Sequence, residues 1–395
     1  MPRIRSQSQS FNLYVSANHA TGTMSGDGDI KQLFRLTSIG GPEWTYEKAP
    51  ISVIGKLAPI TRDTTDSPTV SVPFSYYVTD FENEKNLGFN ITSFSSGTSG
   101  AFVAVTTGAI SDILTKSTLK DEKNYFVLVT PEGQDAISRS GALTDDYILG
   151  IGNANITNYS IEASVGDYPK ASVTVEGLNL KGQFGKTGVI NSSGAGLLSG
   201  VGLWHNTPAI NPANGLAIEG LASNFRLPAG SIGSPNKAFV LKPGDITVDL
   251  SGASGLFADT TNGQFNIQSF NVSFDLARDP IQSLGARYSK SRELTFPIDV
   301  NFTVEALAGD LKAADLRNHV CNTGVYNATV SMKRPDCANA GATAAVIVLK
   351  GLSLQSEAFS IDVDDNQSVS LTWLGSIGSP TDTDNNVFFS GIAGY

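Results

Sequence analysis

Apolar and polar residues alternate strictly in several separate stretches of the chain. Val70, Val72, Phe74, Tyr76 and Val78 alternate with Ser71, Pro73, Ser75, Tyr77 and Thr79. Ile298, Val300, Phe302, Val304 and Ala306 alternate with Asp299, Asn301, Thr303, Glu305 and Leu307. A period of two predicts half-buried β-strands with one face in a core and one in solvent. Pro73 has no N–H for a ladder, which predicts an edge strand. Phe270, Val272, Phe274 and Leu276 predict another strand. Its counterpart around Trp44 and Tyr46 is frayed, because Gly40 and Pro42 fall at apolar positions.

The two clearest strands follow matching segments. Ala49-Pro50-Ile51 leads to Gly55, and Asp279-Pro280-Ile281 leads to Gly285, each glycine five places after its proline. Downstream, residues 108–120 and 310–320 predict one short helix apiece, the second with Leu311 and Ala314 on its apolar side. Strands at 125–130 and 328–332 come next, each closed by a polar turn containing Pro and an acid. The halves end alike, in hairpins over 147–180 and 346–377. Tyr159-Ser160-Ile161 matches Phe359-Ser360-Ile361, and Ser172-Val173-Thr174-Val175 matches Ser368-Val369-Ser370-Leu371. One alternation arises easily by chance; the same series twice in order does not.

These patterns predict a mainly β protein. Two tandem β-sandwich or barrel domains, each with one short helix, occupy residues 1–182 and 237–395. The first carries an insertion at about 81–107. Residues 183–236, rich in Gly, Asn and Pro, form an arm or small subdomain between them.

Composition agrees. Of 395 residues, 40% are hydrophobic, enough for a core, and 40 are glycines, which suit many turns. Only 16% are charged, and the formal net charge is −10. An acidic chain is a poor holder of nucleic acid, which needs clustered Lys and Arg. No apolar leader follows Arg3 and Arg5, and no run is long enough to span a bilayer, so the expectation is a chain kept in the cytosol unless a particle carries it out.

Candidate chemistry is sparse. Cys321, Cys337 and the histidines at 19, 205 and 319 have no metal-binding spacing, and whether the cysteines are bridged stays open. Asp362, Asp364 and Asn366 begin like a calcium loop, but Gln367 and Trp373 stand where Gly and an acid are required. No nucleophile elbow or phosphate loop occurs. No enzyme, cofactor or metal is therefore expected. The loops at 56–67 and 286–295 are the candidates for contact with neighbouring subunits, through Arg62, Asp63, Asp66, Arg287, Lys290, Arg292 and Glu293.

The strand–long loop–strand–helix order, the hairpin Asn158–Gly177 and the ending Leu354–Gly391 resemble the tail tube proteins of long-tailed bacteriophages, over about two thirds of the chain. The resemblance implies a structural virion protein made in a host cytoplasm. It implies self-association into stacked rings around a DNA-conducting channel, joined sheets between subunits, a long loop reaching the next ring, and neighbouring tail proteins as partners. With two modules per chain, it implies a trimeric ring of pseudo-sixfold symmetry, with DNA passing without sequence-specific binding and a wall free of basic clusters. A neck, terminator, baseplate-hub or head decoration protein stays open within that class. Outside it, a surface adhesin or carbohydrate-binding β-sandwich, or a glycan hydrolase on such a scaffold, stays open.

Overall fold

The structure, a computed structural model, describes residues 11–17, 30–45, 47–64, 68–93, 107–115, 122–138, 141–142, 147–184, 189–191, 226–228, 230–231, 240–251, 267–282, 284, 289, 291–307, 325–334, 343–360 and 367–391. The protein is mainly β. The first half opens with β1 (Phe11–Ala17), β2 (Ile30–Leu33), β3 (Leu36–Ile39), β4 (Glu43–Thr45), β5 (Lys48–Ile51), β6 (Thr61–Thr64) and β7 (Thr69–Tyr77). Helix α1 (Glu82–Leu87), β8 (Ile91–Ser93) and α2 (Ser111–Leu114) follow. It closes with β9 (Lys123–Val129), β10 (Gly141–Ala142), β11 (Tyr147–Ser164), β12 (Lys170–Gly177) and β13 (Asn179–Phe184). Short β14 (Val189–Asn191) and β15 (Arg226–Pro228) lie between the halves. The second half contains β16 (Ile246–Ser251), β17 (Ile267–Asp275), β18 (Arg278–Ile281), β19 (Ser291–Leu294) and β20 (Ile298–Leu307). It ends with β21 (Tyr326–Lys333), β22 (Thr343–Phe359), β23 (Ser368–Ile377) and β24 (Asn386–Gly391).

One antiparallel sheet runs through both halves. Its order is β3 and β4 end to end, then β7, β12, β11, β17, β20, β23 and β22. Behind it, β1, β9, β11 and β13 pair in that order in the first half. The second half pairs β16, β21, β22 and β24 in the same manner. The pairing order before the middle segment therefore recurs after it, in both layers.

The long strands β11 and β22 belong to both layers, and each turns the corner at one residue. In β11 that residue is Asn153, with φ 51°; in β22 it is Gly351, with φ 76°. Only Gly, and less readily Asn, tolerates this left-handed backbone. Each pivot N–H is held by an asparagine on the neighbouring strand. Asn124 Oδ1 accepts from Asn153 N at 3.1 Å, and Asn327 Oδ1 accepts from Gly351 N at 3.3 Å. Both asparagines are the second residue of their strand, β9 and β21.

The inward faces of the strands fill a single core that spans the halves. Under the β11–β17 junction, the Phe89 ring lies 4.7 Å from Tyr159, 6.2 Å from Phe274 and 5.7 Å from Phe389. Offset and edge-on aromatic contacts of this kind add roughly 0.5–1.5 kcal/mol each beyond area burial.

Several expectations change. Pro73 is not on the edge: β7 lies between β12 and the interrupted strand β3–β4. The carbonyl of Pro73 accepts from Gly40 N at 2.7 Å. In an antiparallel strand a residue's N–H and C=O point the same way, so the missing donor faces the break at 40–42 and costs no bond to β12. The predicted helix at 108–120 is only α2 within the described residues, and α1 is an additional helix that periodicity did not indicate. The helix predicted at 310–320 lies outside the described residues, as does most of 183–236. From that middle segment, β14 pairs with β10 and β15.

Gly351 gives a direct test of the pivot. An added Cβ would meet Asn385 and the Asp384 carbonyl, besides the strain of positive φ. Gly351→Ala is expected to lower unfolding free energy by about 1–3 kcal/mol, measured by urea denaturation. Gly41→Ala, where a Cβ meets nothing, should stay within about 0.5 kcal/mol of the parent.

Candidate inter-subunit surfaces

Three surfaces distinguish this molecule from a closed β-sandwich: the ends of the long sheet, its outward face, and two projecting hairpins.

The ends follow from the internal junction. Where the halves meet, β11 pairs with β17 from Asn158↔Asp275 to Ser164↔Ser269. Tyr159 is wholly buried there, with its ring 5.3 Å from Phe274. Tyr159 lies opposite Val173 of β12, and Phe359 lies opposite Val369 of β23 in the same way. Yet Phe359 is 48% exposed, because the outer side of β22 over 353–359 has no described strand beside it. Glu357, on the same stretch, has a buried carboxylate oxygen with no hydrogen-bond partner among the described residues. At the opposite end, β3–β4 leaves Leu36 and Ile39 half-buried and Trp44 54% exposed. Unpaired backbone and apolar side chains together at a sheet margin invite another strand.

The outward face is built from short polar side chains. Ser71, Ser75, Ser160, Ser172, Thr174, Asn271, Ser273, Asn301, Thr303, Ser370 and Thr372 occupy it, at the positions that alternate with the core. Hydroxyls bond across strands, as between Thr37 and Ser75 at 2.6 Å and Thr45 and Thr69 at 3.2 Å. Glu43, Glu162, Glu176, Asp275, Asp299 and Glu305 lie on this face. Among the described residues of these strands the cation is Lys170, bonded to Asp167 at 2.6 Å. Glu305 accepts from Ser269 at 3.2 Å and from Ser368 at 3.0 Å. The face is thus hydroxylic and acidic.

The hairpins β5–β6 and β18–β19 carry the sequence candidates. Arg62 and Asp63 are exposed on β6, opposite Pro50 and Ala49. Asp66, Arg287 and Lys290 lie outside the described residues. Glu293 is half-buried on β19. Arg292 is turned inward and buried. Its guanidinium donates to the carbonyls of Glu176, at 2.9 Å, and of the pivot Asn153, and lies 3.9 Å from the Glu122 and Glu176 carboxylates. Arg292 therefore fastens the second hairpin to the first half of its own chain, where the sequence led us to expect a contact with a neighbour. The hairpin tips expose apolar residues instead: Ile54, Leu57 and Leu284 are fully exposed. The sequence carries the signal for these tips in the repeated segment, where an aliphatic residue precedes the glycine in both copies, Ile54 before Gly55 and Leu284 before Gly285.

One buried ionisable group stands out. Glu84 of α1 accepts from the hydroxyls of Tyr76, at 2.9 Å, and Tyr159, at 3.0 Å. Burial pushes its carboxyl up to about 7, against the opposing effect of those hydrogen bonds. Both tyrosine hydroxyls are pushed upward by burial and by Glu84. The arrangement closes the core beneath the junction and offers no open cleft. Among the described residues no His, Cys, Asp and Glu group could hold a metal ion, and no helix is long and apolar enough to cross a membrane.

No family model and no curated protein matches the chain. Among solved structures, one chain from the tail of an empty gene transfer agent particle with C6 symmetry is 16% identical. It aligns over 35% of this chain and 95% of its own length, with a TM-score of 0.22. A chain from the virion of a native gene transfer agent particle is 13% identical over 38% of this chain and 97% of its own, with a TM-score of 0.23.

Glu84 sets the sign of a pH dependence. Its folded-state pKa lies above the unfolded value of 4.5. Its contribution is thus complete below pH 4.5 and is lost as pH rises to about 7. Glu84→Gln keeps a neutral acceptor for both tyrosines. The parent should lose on the order of 3 kcal/mol more than this variant between pH 4.5 and pH 7.5 in urea titrations.

Proposed function

We propose that this protein is a structural virion protein of a phage-like tail, a tube subunit that assembles head to tail into rings around a channel for DNA. In this reading residues 1–182 and 237–395 are two copies of one tube-type module, with 183–236 between them. The observation that carries it is the pair Tyr159 and Phe359: equivalent positions, one sealed by β17 inside the chain, the other open at the sheet end. The natural occupant of that open edge is the β3–β4 edge of another copy, since β3–β4 precedes β7 as β17 precedes β20. Such an interface is heterologous, and it closes into a ring when the rotation per subunit divides a full turn. Two modules per chain and a sixfold arrangement of modules give a trimeric ring.

The outward sheet face becomes the channel wall. Its carboxylates repel phosphate, and its hydroxyls are short, several of them bonded to one another or to Glu305. DNA therefore meets no cluster of cations on which to stall. The apolar hairpin tips then contact the next ring or a neighbouring tail protein; burying such a side chain contributes about 1.5–3 kcal/mol. No catalytic role is assigned.

Electron microscopy of the purified chain tests this reading. Rings or tubes with a central hole and three chains per ring are expected; single particles, or six chains per ring, would refute it. Phe359→Lys should abolish the rings while leaving the monomer's thermal midpoint within a few degrees, because a charge on an edge strand blocks pairing without disturbing the core.

A further inference from the structure

A cavity of about 150 Å³ lies on the outward sheet face, at the turn between β11 and β12. Its floor is a row that crosses three strands. Glu162 of β11 stands opposite Asn271 of β17, and Asn271 stands opposite Thr303 of β20. The cavity therefore spans both halves of the chain, and the internal junction creates it. Asp167 and Tyr168 of the turn and Lys170 of β12 form its side. Lys170 lies opposite Glu162, but its ammonium is bonded to Asp167 at 2.6 Å. Among the described residues no hydrogen bond or salt bridge reaches the Glu162 carboxylate. Two carboxylates against one ammonium leave the cavity with negative charge in excess. The Tyr168 ring, held edge-on to Tyr77 at 5.7 Å, is exposed, as is Val165 of the same turn. The cavity is thus acidic with an apolar border, and its volume is one that holds a benzene ring. A carboxylate and an aromatic ring side by side suit an ammonium on an aliphatic stem.

The hairpin β5–β6 leaves the sheet at the opposite end of the strands. Thr45 pairs with Thr69 where it departs, whereas Tyr77 at the far end of β7 pairs with Lys170. From Thr69 to Tyr77 the strand covers roughly 27 Å, at about 3.4 Å per residue. The hairpin tip carries Lys56, exposed between the fully exposed Ile54 and Leu57. Among the described residues no hydrogen bond or salt bridge reaches its ammonium. One end of the sheet thus presents a base flanked by aliphatic side chains, and the other an acid bordered by apolar ones. A single chain cannot bring the two together; copies stacked end to end can.

We infer that the Glu162 cavity is the socket for Lys56 of a second copy stacked on the first, with Ile54 and Leu57 covering Val165 and Tyr168. This rests on the stacked-ring reading above and names what receives the hairpin. Base meets acid only when every copy points the same way, so the contact sets the polarity of the stack.

The test uses full-length chains, half of them ¹⁵N-labelled, mixed before assembly and treated with a carbodiimide, which joins an ammonium to a carboxylate it touches. Mixed-isotope Lys56–Glu162 links are expected in stacked rings and not in single rings. Glu162→Lys and Lys56→Glu should each raise the protein concentration needed for stacking roughly tenfold, with rings still forming and thermal midpoints within a few degrees of the parent. The double variant should restore stacking. Stacked rings without mixed-isotope links, single reversals that stack like the parent, or a double variant no better than the singles would each overturn the socket and leave the ring reading standing. A parent chain that forms no rings would overturn the ring reading itself.

Discussion

A β-strand at a sheet margin must have its backbone groups paired or shielded, and most of this architecture follows from how that requirement is met at one place. The β11–β17 ladder turns what would be two separate sheets into one. It hides the aromatic residues behind it, Tyr159 and Phe274, and puts their rings in a common cluster with Phe89 and Phe389. The hydrogen bonds themselves contribute modestly against water, about 0.5–1.5 kcal/mol each. The larger gain is the dry apolar layer that the pairing makes possible.

The corners make this pairing geometrically available. A strand that stayed flat could not serve both layers. Asn153 and Gly351 let β11 and β22 bend, and Asn124 and Asn327 satisfy the N–H groups that the bend removes from the ladder. Arg292 then binds the carbonyl of one of those pivots, so the second hairpin is anchored where the first half turns. A buried guanidinium is costly unless its donors are used, and here the carbonyl bonds and two nearby carboxylates offset that cost. Corner, junction and hairpin are therefore one connected assembly. Among the described residues, the ends of the sheet repeat the same geometry with no strand beside them.

Strands with a two-residue period were legible in the sequence: β7, β17 and β20 carry their buried residues where alternation placed them, and β12, β21 and β23 form where the two hairpins and the strand at 328–332 were expected. The break between β3 and β4 was also legible, through Gly40 and Pro42. Pairing partners were not. Pro73 pointed to an edge because a missing donor usually excludes an inner position, yet the structure aims that gap at an interrupted neighbour. Helix α1 was hidden because it is one and a half turns long and its buried residues include Asn83 and Glu84, which no hydrophobic period reveals.

The local chemistry of the residues thus determined the class of structure, the order of its strands and the absence of familiar catalytic motifs, because strand periodicity and turn residues act over a few neighbours. Only the tertiary structure decided which strand lies beside which, that Arg292 faces inward while Ile54 and Leu284 face out, and that Tyr159 is sealed where Phe359 is open. Those outcomes depend on contacts between residues more than a hundred positions apart, such as Asn158 with Asp275. Their cost in chain entropy is recovered only when the whole sheet closes on its core.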